Sequence, residues 1–141
     1  MTRDEILGVL NGRTEAWRRL DVNALVADYA PDAVVESPLA GGSTQGVEQI
    51  KQVFQTYFTA FPDLGMDVAD MLIDDQRACV LATFTGTDRG GFMGLPPTGR
   101  RVTIPVAFLY EFKDGKIVRD RRMYDFTGLL IQVGTLKAKP A

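Results

Sequence analysis

Hydrophobic residues in the first part of the chain recur at helical intervals. After a capping-box sequence at residues 2–5, apolar side chains follow at near-helical spacing: Ile6, Leu10, Trp17 and Leu20. The spacing predicts an amphipathic helix over residues 3–19. A second helix is expected to begin at Asp21 and to carry three apolar residues on one face: Leu25, Val26 and Tyr29.

A short strand and a longer helix are expected next. The turn Pro31-Asp32 leads into a β-like run, AVVES at residues 33–37, which Pro38 closes. Beyond a glycine-rich loop, a broad apolar stripe predicts the longest core helix of the chain: Val47, Ile50, Val53, Phe54, Tyr57, Phe58 and Phe61. Pro62-Asp63 is expected to end that helix, because a proline disfavours helical backbone in the residue before it.

From Met66 onward the hydrophobic period changes to that of β-strands. Four runs alternate in this way: residues 66–74, 77–87, 100–112 and 116–125. Asp114-Gly115 supplies a turn between the last two runs, and a short apolar helix is expected over residues 127–133.

Helices followed by consecutive antiparallel strands predict an α+β fold. We expect one domain over residues 1–141, in which a curved antiparallel sheet wraps around the N-terminal helices to form a cone. The open mouth of such a cone is a natural ligand site.

Composition and charge narrow the classes of function. Of the 141 residues, 45% are hydrophobic and 24% are charged, as in ordinary globular proteins. The net charge of −2 and the pI of about 5.1 provide no positive field for nucleic acid or anionic lipid. The N-terminus lacks the features of a signal peptide, and no apolar run approaches the length of a membrane span. We therefore expect a cytoplasmic protein that binds a small molecule or a second copy of itself, without nucleic-acid or membrane partners.

The residue types limit the chemistry further. The chain has no histidine, which excludes a histidine base, a Ser-His-Asp triad and a histidine metal site. The single Cys79 excludes an intramolecular disulfide, and its apolar surroundings in the sequence favour a packing role in the core. No acidic cluster has calcium-loop spacing, and the glycine-rich segment at residues 86–99 lacks a phosphate-binding pattern. We expect neither a metal nor a cofactor.

Five segments carry a family resemblance. They are YAPDAVVESP at residues 29–38, the helix start at residues 46–50, FPDL at residues 61–64, GTDRGGFMGLPPTG at residues 86–99 and DGKIVRDRRMYDFTGLLIQVG at residues 114–134. In this order and spacing, the chain resembles the SnoaL-like polyketide cyclases, a branch of the nuclear transport factor 2-like (cystatin-like) superfamily of α+β cones. The resemblance implies cofactor-independent intramolecular aldol or proton-transfer chemistry on a hydrophobic, polyketide-like carbonyl compound.

The resemblance assigns the acid/base role to Asp125, at the end of the last strand. A carboxyl group in an apolar cavity can both remove an α-proton and return one, because burial raises its pKa toward neutrality. Arg121 shares a strand face with Asp125 and could orient a substrate oxygen. The competing interpretations are a helix N-cap for Asp125 and a solvated or dimer-facing cation for Arg121. Tyr124 and Arg122 lie on the opposite face, and one of the two faces must line the cavity.

Six further side chains are candidates for ligand binding: Trp17, Phe54, Tyr57, Phe58, Phe92 and Met93. The four with helical spacing are more often core residues, although some must line any internal pocket. The Phe-Met pair either rims the mouth of the cone or closes it as a hydrophobic flap. Asp88 stands where family members commonly carry histidine, and we interpret it as a turn residue that binds backbone amides.

Three functions stay open on the sequence alone. The alternative to a cyclase is a non-catalytic small-molecule-binding or dimerisation module of the same fold. An epoxide hydrolase or isomerase ranks third: Ser37 stands where related ketosteroid isomerases carry their base, and the Asp-Arg-Asp set of epoxide hydrolases would fall on one strand here. We also expect a homodimer, because apolar residues alternate with arginine on the outer face of the sheet.

Overall fold

The computed structural model describes residues 1–39 and 41–137. Helix α1, Arg3–Arg18, begins with the predicted capping box. The Thr2 hydroxyl accepts from the Glu5 backbone N–H, and the Glu5 carboxylate accepts from the Thr2 N–H. Both bonds satisfy amides that the first helical turn leaves without partners, so the helix begins where the sequence indicated.

The remaining elements follow the predicted order, except for the two-residue strand β2, which forms in the segment predicted as a glycine-rich loop. Asp21 caps the short helix α2 by accepting from the Ala24 N–H. The bounds of the elements are α2 Val22–Val26, β1 Tyr29–Glu36, β2 Thr44–Gln45, α3 Val47–Ala60, β3 Gly65–Asp74, β4 Arg77–Thr87, β5 Arg101–Lys113, β6 Lys116–Tyr124 and α4 Phe126–Val133. A 3₁₀ turn at Phe92–Gly94 interrupts the loop between β4 and β5.

The six strands form one curved, unclosed sheet in the order β2-β1-β6-β5-β4-β3. All neighbours are antiparallel except β1 and β6, which are parallel. This pair departs from the predicted all-antiparallel sheet. Tyr29, predicted as helical, is the first residue of β1. Pro31 fixes its own backbone and lacks an N–H, and the two valines that follow favour strand geometry, so the helix cannot extend through this segment.

The two faces of the sheet differ in burial. On β4 and β5 every second residue is buried against α1 and α3, which forms the core. On β6 the buried side chains are Ile117, Asp120 and Arg122, with Tyr124 half-buried at the end of the strand. Cys79 points outward and is only half-buried, so the predicted core role is wrong. Alternation along β4 places the Cys79 side chain on the face opposite to those of Ala78 and Val80.

The loop between β4 and β5 folds over one end of the core. The buried Asp88 carboxylate accepts from the Gly91 N–H at 3.1 Å and from the Thr98 N–H and hydroxyl at 3.0 Å each. This confirms Asp88 as a turn residue. In the described part of the chain, no helix has the length and apolar character that crossing a membrane requires.

Candidate functional site

An internal cavity lies between the inner face of the sheet, α1, α3 and α4. Its volume is about 30 Å³, and it is lined by ten side chains: Trp17, Tyr57, Met66, Phe84, Ile104, Val106, Phe108, Arg122, Tyr124 and Leu129. A water molecule needs about 10–15 Å³ of such volume, so the cavity as it stands holds roughly two. Ligands of drug size occupy several hundred Å³. A ring-sized ligand can enter only if the lining side chains move apart.

Two tyrosine hydroxyls meet at the wall of this cavity. Tyr57 from α3 and Tyr124 from the end of β6 are hydrogen-bonded through their hydroxyl oxygens. The Ser37 hydroxyl lies 3.5 Å from that of Tyr124. Burial raises the pKa of Tyr57 far above its ordinary value, with a further contribution from Tyr124. The Tyr57 hydroxyl therefore stays protonated. Whichever of the two hydroxyls accepts the hydrogen bond from the other can donate to an oxygen atom brought into the cavity.

Arg122 supplies the ionised group of the cavity wall. The side chain is 5% exposed, and its guanidinium lies over the rings of Trp17, Phe54 and Phe108 at 4.7–5.7 Å from their centroids. Burial acts to lower the pKa of Arg122, but the Asp120 carboxylate together with the oxygens of Tyr29 and Tyr110 outweighs it and raises the pKa above its ordinary value. Arg122 is therefore a permanent cation beside the two hydroxyls.

A buried network holds Arg122 in place. Asp120 Oδ2 accepts from Arg122 Nη2 at 3.0 Å, from Arg122 Nε at 3.2 Å and from the Tyr29 hydroxyl at 2.6 Å. Arg13 of α1 donates to the Tyr29 hydroxyl at 2.8 Å and to Asp28 at 3.2 Å. Helix α1, strand β1 and strand β6 are thus joined by charged groups beneath the cavity, a rigid support for one guanidinium.

The two residues predicted as catalytic lie outside the cavity, Arg121 on the outer face of β6 and Asp125 at the start of α4. Asp125 is exposed and caps α4, its Oδ1 accepting from the Gly128 N–H at 2.8 Å. Arg121 is exposed and donates to Glu36 at 3.0 Å. Neither side chain lines the cavity. These contacts match the competing interpretations raised from the sequence, while the catalytic roles themselves stay predictions.

The predicted ligand-binding residues divide into three groups. Trp17 and Tyr57 line the cavity. Phe54 and Phe58 pack behind Trp17 at centroid distances of 5.1 and 5.5 Å, and Phe92 packs on Tyr57 at 5.8 Å. Met93 is half exposed and borders an outer groove of about 580 Å³ between β2 and α3. The structure therefore brings together the aromatic residues and leaves Met93 outside.

Residues 9–133 match the family model of the SnoaL-like polyketide cyclases. The chain belongs to this family. Membership and fold together support a cyclase-like or hydroxylase-like role. No match was found among curated protein sequences.

Solved structures of family size overlay closely on the chain. AclR of Streptomyces galilaeus, described as a proposed hydroxylase, is 27% identical with a TM-score of 0.85, over 99% of this chain and 87% of AclR. IdmH of Streptomyces antibioticus, described as a proposed polyketide cyclase, is 28% identical with a TM-score of 0.75, over 90% of this chain and 96% of IdmH. A Catenulispora acidiphila protein with a ketosteroid isomerase-like fold is 20% identical with a TM-score of 0.76, over 94% of this chain and 97% of that protein. At this identity the likeness concerns the fold alone.

From the sequence, Tyr124 was not a candidate and Arg122 was considered only as a possible member of the Asp-Arg-Asp set of epoxide hydrolases, although the signal for both was present. Strand alternation placed them together on one face of β6, opposite Asp125. The missing information was which face turns inward. The neighbouring strand decides it, because Arg122 pairs with the buried Phe108 and Tyr124 pairs with the buried Val106. Three arginines within four positions, Arg119, Arg121 and Arg122, put charge on both faces of β6, so the sequence of this strand alone does not show which face is inward.

Proposed function

We propose that this protein catalyses cofactor-independent proton transfer or intramolecular aldol ring closure on a hydrophobic carbonyl compound. The observation that carries the proposal is the pair of hydroxyls, Tyr57 and Tyr124, in an otherwise largely apolar cavity beside Arg122. In such a reaction an α-proton leaves, the resulting enolate attacks a second carbonyl carbon, and the alkoxide formed takes up a proton. Negative charge develops on oxygen at both stages.

A protonated Tyr57 next to a fixed cation suits that charge distribution. Donors held in position in a site with little water stabilise a developing oxyanion more than the same groups do in water. Tyr57 remains protonated because burial raises its pKa, and Arg122 adds positive charge without moving. One tyrosine can also hand its proton to the alkoxide, which would make it the acid of the second stage.

Asp125 stays the predicted base of this reaction. In its present position it caps α4 and does not line the cavity, so it must move before it can take a proton from a ligand bound there. Among the described residues no carboxylate lines the cavity. This feature favours the alternative proposal, a small-molecule-binding module without turnover.

Ring closure of a model substrate tests the proposal. A phenyl-substituted diketone that can close a six-membered ring by aldol reaction is incubated with the protein, and product is followed by chromatography. Tyr57→Phe and Tyr124→Phe remove one hydroxyl each without changing ring size, and each should lower kcat by about 10²- to 10³-fold. The matched control is Tyr110→Phe, which removes a buried hydroxyl outside the cavity and should leave kcat within about twofold.

Two other outcomes are informative. Saturable binding of the diketone without product would establish the binding module in place of the cyclase. The likeness to AclR adds hydroxylation of the same class of compound as a further candidate, which oxygen uptake in the same reaction would reveal.

We also propose that two copies pair through the outer face of the sheet. On this face Leu72 is 61% exposed, Leu81 38% and Met123 71%. Leu81 and Met123 lie in one row of paired residues that runs across the strands, and Leu72 lies in the next row. The row of Leu81 has Asp70 at its β3 end, and the row of Leu72 has Arg121 at its β6 end. A face-to-face pair related by a twofold axis would set the acidic side of one copy against the basic side of the other.

A further inference from the structure

We infer that Phe92 limits the size of the ligand that the inner cavity admits, and that residues 92–97, the gate segment, move outward when a ligand enters. The inference rests on the proposed function for the location of the ligand and goes beyond it in naming a residue that determines specificity. It depends on three features: the position of the Phe92 ring, the attachment of the gate segment and the space outside it.

The Phe92 ring forms a second layer behind the cavity wall. Tyr57 lines the cavity, and three aromatic rings pack against it at centroid distances of 5.8–6.4 Å. Two of them, Phe84 and Tyr124, line the cavity as well, whereas the third, Phe92, does not and is 1% exposed. Protein interiors are close-packed, so the Tyr57 ring can retreat from the cavity where the Phe92 ring vacates space.

Tyr57 is also the part of the wall that can give way most readily. The lining residues of β3 to β6 are fixed by the hydrogen bonds of the sheet. Trp17 is backed by two rings of α3, and Leu129 lies on α4, which Gln132 ties to Thr103 of β5. Tyr57, by contrast, is backed by a ring from the loop between β4 and β5. A ring-sized ligand therefore gains its room on this side.

The gate segment is attached at its base and by one ring. The Asp88 carboxylate accepts from the Gly91 N–H before the segment and from the Thr98 N–H after it. In the part of the chain that the structure describes, no hydrogen bond joins the gate segment to residues outside it, and the Leu95 N–H donates within it to the Phe92 carbonyl. A segment held by so few bonds can open locally while Asp88 keeps its two ends in place.

The backbone of the gate segment is strained in the closed position. Met93 has φ 56° and ψ 35°, in the left-handed region that residues other than glycine rarely adopt. Gly91 and Gly94 on either side also have positive φ, which glycine adopts without strain. Release of the Phe92 ring lets Met93 leave this conformation, so the relief of strain offsets part of the cost of exposing the ring.

Open space lies outside the gate segment. Met93 is 51% exposed and borders two adjoining grooves on α3, of about 580 and 440 Å³. Gly91 and Gly94 line the second of these grooves. The displaced Phe92 ring can therefore lie in a groove beside its own loop, in contact with Met93.

Equilibrium binding of two probes that differ by one fused ring tests the size limit without any turnover. Acetophenone and 2-acetylnaphthalene carry the same head group, and calorimetry gives both affinities. Phe92→Ala removes ring volume behind Tyr57, so the affinity ratio should shift toward the larger probe by at least about tenfold. Phe92→Leu retains most of the core packing and should shift the ratio in the same direction, which keeps the test decisive if the alanine variant does not fold.

The matched controls are Phe112→Ala and Phe112→Leu. They remove volume from a buried ring that does not line the cavity and should keep the ratio within about twofold of that of the natural sequence. A ratio unchanged in the Phe92 variants would overturn the inference, as would an equal shift in the Phe112 variants or a failure of both probes to bind any of these proteins.

Fluorine NMR tests the movement of the gate segment. Labelling with 4-fluorophenylalanine gives one resonance for each of the eight phenylalanines, and Phe92→Leu identifies the Phe92 resonance by its loss. Saturation with 2-acetylnaphthalene should move this resonance to the position of a solvent-exposed ring and leave that of Phe112 unchanged. A Phe92 resonance that keeps its buried position in the saturated protein would refute the movement.

This inference and the proposed function fail separately. Ring closure of the diketone by the natural sequence, with no change of size preference in the Phe92 variants, would leave the proposed function standing and refute this inference alone. A size shift in a protein that binds the probes but closes no ring would support Phe92 as the size limit and favour the binding module.

Discussion

Replacing Asp120 with Asn tests the buried network that supports the cavity. Asp120 is fully buried and its Oδ2 is the acceptor for two nitrogens of Arg122 and for the Tyr29 hydroxyl. Asn keeps the shape and one acceptor oxygen but removes the negative charge. Arg122 then remains in the core as a cation whose nearest counter-charge has gone.

The expected loss of stability follows from that unpaired cation. Removing one partner of a buried ion pair costs about 3–5 kcal/mol. The amide oxygen of Asn retains part of the hydrogen bonding, so we expect about 3 kcal/mol for Asp120→Asn. Small domains have a free energy of unfolding of about 5–15 kcal/mol, so the loss is a fifth or more of the total.

Urea unfolding measures this loss. Trp17 is the single tryptophan and lies at the cavity beside Arg122, so its fluorescence reports the transition. With a denaturant dependence of about 1–3 kcal/mol per molar urea, a loss of 3 kcal/mol lowers the midpoint by about 1–3 M. The double variant D120N/R122M removes both charges and should recover most of the lost stability, because well-packed neutral groups replace a buried pair at little cost.

Two results would refute the reasoning. A loss below about 1 kcal/mol for Asp120→Asn would mean that the pair does not stabilise Arg122. A double variant that is less stable than either single variant would mean that the two residues act independently.

Three further predictions concern the cap, the loop and the dimer. Asp125→Ala should cost about 1 kcal/mol in thermal unfolding and Asp125→Asn much less, since Asn also caps helices; a fall in turnover for Asn at unchanged stability would instead support the predicted base. Gly90→Ala should prevent or severely impair folding, because a methyl group there overlaps the Thr59 carbonyl. As a control, Gly8→Ala in α1 places its methyl group in open space and should stabilise the folded protein by about 0.5–1 kcal/mol in the same melts. Met123→Glu should convert a sedimenting dimer to a monomer, and a natural sequence that sediments as a monomer would contradict the proposed pairing.

The fold could be predicted closely because its local signals agree with one another. The strand predicted at residues 77–87 and the capping box of α1 appear as expected. The exception is β1, where Tyr29 continues an apparently helical pattern. Its parallel pairing with β6 joins segments more than eighty residues apart, and no local period carries that information.

The site was harder to predict than the fold. Because side chains alternate along a strand, the sequence predicts that Asp125 and Arg122 point to different faces. This alternation does not indicate which face packs against the helices. The buried ion pair of Asp120 with Arg122 is also invisible to a hydrophobic pattern, because charged residues ordinarily indicate a solvent-exposed face. The pairing of β6 with β5 identifies the inner face, because it places Arg122 opposite the buried Phe108.

The central claim is that the ligand oxygen binds on the inner face of the sheet, between Tyr57, Tyr124 and Arg122. A crystal structure of the protein soaked with benzoylacetone tests it most directly. We expect the ligand in an enlarged inner cavity, with an oxygen at about 2.5–3.2 Å from a tyrosine hydroxyl or from the Arg122 guanidinium. A ligand bound instead outside this cavity, against Arg121 or Asp125, would contradict the claim.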